Sequence, residues 1–383
     1  MPKIRPIAIY LPQFHPIPEN DEWWGKGFTE WTNVTKAKPR FKGHYQPHLP
    51  ADLGFYDLRL EEARLAQEAL AKEYGIYGFC YYHYWFNGRR ILEKPLNEKL
   101  KNPKEDLPFM MCWANENWSR RWDGSENEIL LQQNYSNEDH VQHINYLIPF
   151  FKDPRYIKID GKCVFSIYRS DLIPNLPEVL NLWRKIAREN KIELYIIRFE
   201  GLYKTGKEFM AEGLDAATEF QPFTALNRIA KTRTVVKGWR EEISFSGFRN
   251  SFMARLDTVQ ERVSRNRDGK IYQFQDIVNT ELADLWQPDY KLFRGVSPSW
   301  DNTARKEKNY IIVNNSTPVL FRKWLNHKLK NFLPYSAEEN LLFINAWNEW
   351  AEGNHLEPDR KWGMSYLEQL RLAFTENNIE NHD

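Results

Sequence analysis

Two glutamates stand three residues apart in the stretch "NAWNEWAEG", residues 345–353: Glu349 and Glu352. Carboxylates held a few ångströms apart drive each other's pKa values in opposite directions, which makes one an acid and the other a base near neutral pH. A helical turn after Trp347 would set both on one face. Glycosidic-bond cleavage needs such a pair: one group protonates the leaving oxygen and the second serves as nucleophile or base. The bland alternative for Glu352 is a helix N-terminal residue that meets the macrodipole. The Asn-Glu of Asn348 and Glu349 recurs at Asn115 and Glu116. Glu116 and Glu349, about 5 Å apart, are therefore a rival retaining pair. The structural reading of Glu116 is a hydroxyl acceptor or an ion pair with Arg120 or Arg121.

The elements that must position these groups are visible as short apolar runs: residues 7–11, 75–82, 107–113, 163–168, 193–199, 215–220, 293–298 and 341–347. Their lengths suit fully buried strands. Helical patterns lie between them, clearest over 57–75, 176–191 and 317–332, with Gly75 as a helix end. Strand–helix alternation repeated about eight times predicts a parallel sheet with right-handed crossovers, closed into a (β/α)₈ TIM-like barrel. An open doubly wound sheet is the runner-up. Residues 1–383 read as a single domain. Residues 221–290, strongly basic from Arg228 to Lys270, read as an insertion between the sixth and seventh strands, either a solvated lid or a surface for an anionic partner.

Barrel chemistry collects at the carboxyl ends of the strands. Gln13 and His15 follow the first run; Tyr82, His83 and Trp85 end the second. Asn115, Glu116, Trp118 and Arg121 follow the third. Trp300 and Asp301 follow the seventh, and Asn348 and His355 the eighth. Directed hydrogen-bonding groups beside flat aromatic faces suit sugars, which present hydroxyl edges and C–H faces.

The remaining composition mostly excludes. With 53 basic and 52 acidic residues, the chain has no overall attraction to nucleic acid or an anionic membrane. No apolar run reaches membrane-spanning length, although peripheral membrane contact stays open. No glycine-rich phosphate loop, Asp-x-Asp or Gly-x-Ser-x-Gly is present. His140 and His143 in "HVQH" lack a third ligand, and Cys80, Cys112 and Cys163 lack metal-ligand spacing, so no metal or cofactor is expected. Three unpaired thiols in apolar runs and a proline-broken N-terminus predict a cytoplasmic protein.

"WNEWAEG" with downstream "LEP", and the N-terminal "YLPQFHP" and "FTEW", resemble the family 99 glycoside hydrolases. The likeness is nearest to their WbsX-like relatives, known as glycosyltransferases of bacterial surface-polysaccharide clusters. The resemblance implies a (β/α)₈ barrel and retaining, endo-acting chemistry on α-mannosides. By motif position it implies Glu349 as base on the sugar 2-hydroxyl, with a 1,2-anhydro sugar as intermediate, and Glu352 as acid and then base. It also implies sugar contacts from Tyr10, Gln13 and His15, and from Trp113, Asn115 and Glu116. The expected partner is an oligosaccharide or polysaccharide, or a lipid- or nucleotide-linked sugar. Transfer in O-antigen or capsule assembly and a non-catalytic sugar-binding barrel stay open as alternatives.

Overall fold

The structure is a computed structural model that describes residues 4–119, 128–201, 205–230, 265–266, 268–284 and 286–378. Nine strands form the central sheet: β1 (Arg5–Tyr10), β2 (Gly78–Phe86), β3 (Phe109–Trp113), β4 (Lys162–Ile167), β5 (Leu194–Glu200), β6 (Ala216–Glu219), β7 (Leu292–Phe293), β8 (Gly295–Val296) and β9 (Leu341–Ile344). Their order is β7-β6-β5-β4-β3-β2-β1-β9-β8. Every neighbouring pair is parallel. The two ends of this order, Phe293 and Gly295, are separated in the chain by the single residue Arg294. Phe293 pairs with Thr218 and Gly295 with Phe343, so the split seventh position closes the barrel. A side chain at Gly295 would put its Cβ 2.7 Å from the Glu219 carbonyl oxygen, so glycine permits the close approach there.

All eight runs expected from the sequence are barrel positions, and the open-sheet alternative falls away. They read as continuous apolar stretches because the strands are covered on both faces; β1 and β3 are buried at every residue. The three expected helices are present at Glu61–Glu73, Leu176–Glu189 and Pro318–Lys330. The first starts a turn later than expected. The Asp57 side chain accepts the Arg59 backbone N–H at 2.8 Å, and such a local bond competes with the helix. Gly75, at φ +85°, ends it as expected. The three cysteines are buried and free.

A second sheet was not anticipated. Trp300–Asp301, Tyr310–Asn314, Gly269–Gln273 and Arg265–Asn266 form four short strands beside the barrel. Two of its strands precede β7 and two follow β8, and Trp300 and Ile311 from the latter line the cavity at the mouth. Residues 231–264 of the basic stretch lie outside the described residues, as does Arg121.

Candidate active site

A cavity of about 440 Å³ opens at the carboxyl ends of the barrel strands. Of the residues singled out in the sequence, Gln13, Tyr82, Glu116, Trp118, Trp300, Glu349 and Glu352 line it. Tyr84, Tyr168, Phe220, Phe223, Asn302, Arg305 and Lys306 complete much of the wall.

The two glutamates come from a tight hairpin instead of a helix start. Asn348–Glu349 pairs antiparallel with Asn354–His355, and a 3₁₀ turn, Trp350–Glu352, joins them. Gly353 closes the turn at φ +55°, where an added Cβ would lie 3.0 Å from Asp301 Cβ. The hairpin is fastened from behind. Asn348 Oδ1 accepts the Leu11 N–H at 2.8 Å, and its Nδ2 donates to the Leu11 carbonyl at 3.0 Å. Trp350 Nε1 donates to buried Glu357 at 2.6 Å, and the Tyr56 hydroxyl donates to the same carboxyl at 2.8 Å.

Arg305 organises the acids. Its Nη2 lies 3.1 Å from Glu349 Oε2 and 2.9 Å from Glu30 Oε2, and its Nη1 lies 2.7 Å from Glu352 Oε1. Three carboxylates therefore share one guanidinium. Glu30 is fully buried and Glu349 is 5 % exposed, whereas the Glu352 side chain is 20 % exposed. Burial pushes Glu349 up to about 8; Arg305 opposes the shift, and Glu352 and Glu30 add to it. Burial also raises Glu352, again against Arg305. The pair titrates as a unit and holds a proton near neutrality. An acid and a base can thus coexist in one small space, with the more exposed Glu352 facing the cavity.

A stability consequence follows. Between the ordinary carboxylate value of 4.5 and about 8, the folded Glu349–Glu352 pair keeps a proton that the unfolded chain has released. Its contribution is fully present below 4.5 and is lost as pH rises through about 8, at up to about 1.4 kcal/mol per pH unit. Glu349→Gln removes this dependence. Denaturant unfolding across that window should show wild-type stability falling relative to the Gln variant. Parallel curves would contradict a buried, proton-holding pair.

The other candidates are placed as follows. Glu116 lines the cavity and pairs with Arg169 at 2.6 Å. Asn115 fastens β3 to β4, with its Oδ1 accepting the Arg169 N–H and its Nδ2 donating to the Arg169 carbonyl. Gln13 lines the cavity, and its Nε2 is buried with no hydrogen-bond partner among the described residues. Tyr10, His83, Trp85 and Trp113 turn away from the cavity towards the surrounding helices. Tyr10 donates to Gln67, His83 faces His143 at 2.9 Å, Trp85 donates to Asp139, and Trp113 meets His143 and Trp183. Burial lowers His15 to about 4, and the residue is not in the cavity wall. Asp301 sits behind the wall, 2.6 Å from His44, and caps the turn Asn302–Ala304 that carries Arg305. His355 stacks on Trp350 at 3.8 Å, also outside the cavity wall.

Sequence reasoning did not single out Glu30 or Arg305. Glu30 lies within the motif "FTEW", and Arg305 follows Trp300 and Asp301 by a few residues. No short-range signal joins them, because the Arg305–Glu30 contact links positions 275 residues apart.

A closed parallel barrel whose mouth holds paired acids among aromatic rings defines the class: a carbohydrate-active enzyme. The chain belongs to the family described as Glycosyltransferase WbsX, which matches residues 6–370. It is 37 % identical over 371 residues to the uncharacterized protein WxcX of Xanthomonas campestris pv. campestris strain B100, and equally to WxcX of a second strain. The match covers 96 % of this chain and 49 % of those relatives, so the chain spans about half their length. Among solved structures it resembles a glycoside hydrolase-like protein (TM-score 0.59, 16 % identity, 98 % of this chain and 94 % of that one). It also resembles the GH99 endo-alpha-mannosidase from Bacteroides thetaiotaomicron (TM-score 0.54, 14 % identity, 98 % and 97 % covered). At such identities these structures share the fold.

Proposed function

We propose that this chain acts with retention on an α-mannoside-like glycosidic bond in a glycan or bacterial surface polysaccharide. The observation that carries the reading is the Arg305-bound pair Glu349 and Glu352, opening on a cavity walled by tyrosine and tryptophan. Glu349 takes the proton of the 2-hydroxyl, and that oxygen attacks the anomeric carbon. The bond to the leaving oxygen breaks as Glu352 protonates it. Water then opens the 1,2-anhydro ring, with Glu352 taking the water proton and Glu349 returning its proton to O2. Two inversions give net retention. Nucleophile and electrophile share one ring, which is a proximity advantage. The 2-hydroxyl must be trans to the leaving group, and α-mannose supplies that geometry. Glu30 is the neighbour that, with Arg305, sets the charge around both acids.

The family's description supports a second reading, glycosyl transfer, in which an acceptor hydroxyl replaces water. The donor would then be a lipid- or nucleotide-linked sugar. In both readings residues 1–383 act as one catalytic domain, and Phe223, near the start of the segment 221–290, lines the cavity.

The test is product stereochemistry by NMR on α-mannosides, alongside nucleotide- or lipid-linked sugars with and without acceptor. Retained configuration is expected, and an inverted first product would remove the anhydro-sugar route. Release of the carrier only when acceptor is present would assign transfer; release in water alone would assign hydrolysis.

A further inference from the structure

Behind the catalytic hairpin lies a second cluster that the proposed reaction does not use. His48, His355 and Asp359 are all buried, and one ligand atom from each lies within 4.8 Å of the other two. His48 Nδ1 is 3.0 Å from His355 Nε2, and His355 Nε2 is 3.9 Å from Asp359 Oδ2. Two distant segments bring them together. The Ala51 N–H donates to the Pro358 carbonyl and the Arg360 N–H to the Leu49 carbonyl, each at 2.9 Å, so backbone bonds flank the cluster. A cavity of about 50 Å³ adjoins it, enough for an ion or a water.

The neighbours of each group decide where its lone pair points. His355 Nδ1 lies 2.9 Å from the Glu357 carbonyl oxygen. A carbonyl only accepts, so Nδ1 carries the proton and Nε2 presents a lone pair towards His48. A backbone carbonyl on the far nitrogen is the usual outer support of a metal-ligating histidine. Asp359 Oδ1 is occupied by the backbone N–H groups of Lys361 (3.0 Å) and Trp362 (2.6 Å). That leaves Oδ2, which among the described residues accepts just the longer Tyr45 hydroxyl bond at 3.2 Å.

We propose that His48, His355 and Asp359 bind one divalent transition-metal ion, and that this ion braces the hairpin carrying Glu349 and Glu352. Two neutral imidazoles and one carboxylate suit zinc and its borderline neighbours better than calcium or magnesium. A tetrahedral ion with ligand bonds of about 2.0–2.2 Å holds its donors about 3.3–3.5 Å apart, so His48 and His355 would open slightly from 3.0 Å and Asp359 would close in from 3.9 Å. The local charges oppose one another. Asp301, on the same small cavity, favours a cation, whereas Lys361, whose Nζ lies 4.5 Å from the Tyr45 ring centroid, disfavours one. The link to the hairpin is direct: His355 stacks on Trp350 and pairs in register with Asn348. Spacing in the sequence did not reveal the cluster, because His48 and His355 are 307 residues apart.

The site does not depend on the proposed reaction, and its test does not use activity. Untagged protein is stripped with chelator and titrated with zinc or cobalt, followed by elemental analysis, cobalt d–d absorption and thermal unfolding. The expected result is about one ion per chain with tetrahedral or five-coordinate cobalt bands and a raised Tm. Binding and the Tm shift should both be lost in His48→Asn and in Asp359→Asn. Trace metal only, with no Tm response of the wild type to zinc or cobalt, overturns the proposal and leaves a His48–His355 hydrogen bond. Unchanged binding in both variants overturns it as well. If a variant fails to fold, the wild-type titration still decides.

Discussion

Glu349→Gln and Glu352→Gln each lower turnover on a competent substrate by about 10²–10⁴-fold, the usual worth of a positioned acid or base. The two losses differ in kind. Glu352→Gln lacks the acid, so a substrate with a good leaving group, such as a glycosyl fluoride, restores its first step. Glu349→Gln lacks the base on the 2-hydroxyl, so leaving-group quality does not rescue it. A 2-deoxy or 2-O-methyl substrate is correspondingly inert with the wild-type protein. Full turnover by both variants would end the two-glutamate mechanism and, with it, the rival Glu116–Glu349 pair. Wild-type cleavage of the 2-deoxy substrate at the normal rate would remove the role assigned to Glu349 alone.

Arg305→Gln has the second large effect, and it shows in stability as well as rate. The variant strands Glu30, Glu349 and Glu352 together without their cation. Removing one partner from a buried ion pair costs about 3–5 kcal/mol, because the charge left behind is uncompensated. Arg305 holds Glu349 and Glu352 down, so its loss raises both further. The ascending limb of the pH–rate profile, where Glu349 must be ionised, therefore moves to higher pH. The stability defect shrinks towards acid pH, where the carboxyls are neutral. Arg305→Lys keeps the charge but cannot bridge three carboxylates with one planar fork, so it recovers only part of either property. Denaturant midpoints at acid and neutral pH and the pH–rate profile check both claims. An Arg305→Gln protein with wild-type stability and an unshifted profile would show that the guanidinium does not govern these acids.

The β2 strand shows where reading the sequence reached its limit. Tyr82, His83, Tyr84, Trp85 and Phe86 are consecutive, and all are chemically plausible for a sugar site. Tyr82, Tyr84 and Phe86 line the cavity, whereas His83 and Trp85 pack outward on the helix Asn137–Phe151. Side chains alternate across a strand, so one phase determines all five. The phase is illegible because both faces of a barrel strand are buried, and apolar residues occupy each. Tyr10 and Trp113 turn outward on β1 and β3 for the same reason, while their successors Leu11 and Ala114 line the cavity.

What the chain's order of residues determined alone was the local: eight strand positions, the helices between them, and two glutamates on one short segment after the last strand. Hydrophobic periodicity and short-range spacing carry that information. Tertiary structure decided which faces of those strands meet substrate. It also decided that Arg305 and Glu30 join Glu349 and Glu352, and that His48 reaches His355. Those contacts join residues between 44 and 307 positions apart, except for the local spacing of the glutamates themselves. Barrel closure brings such partners together, and no short-range pattern encodes a contact that closure creates.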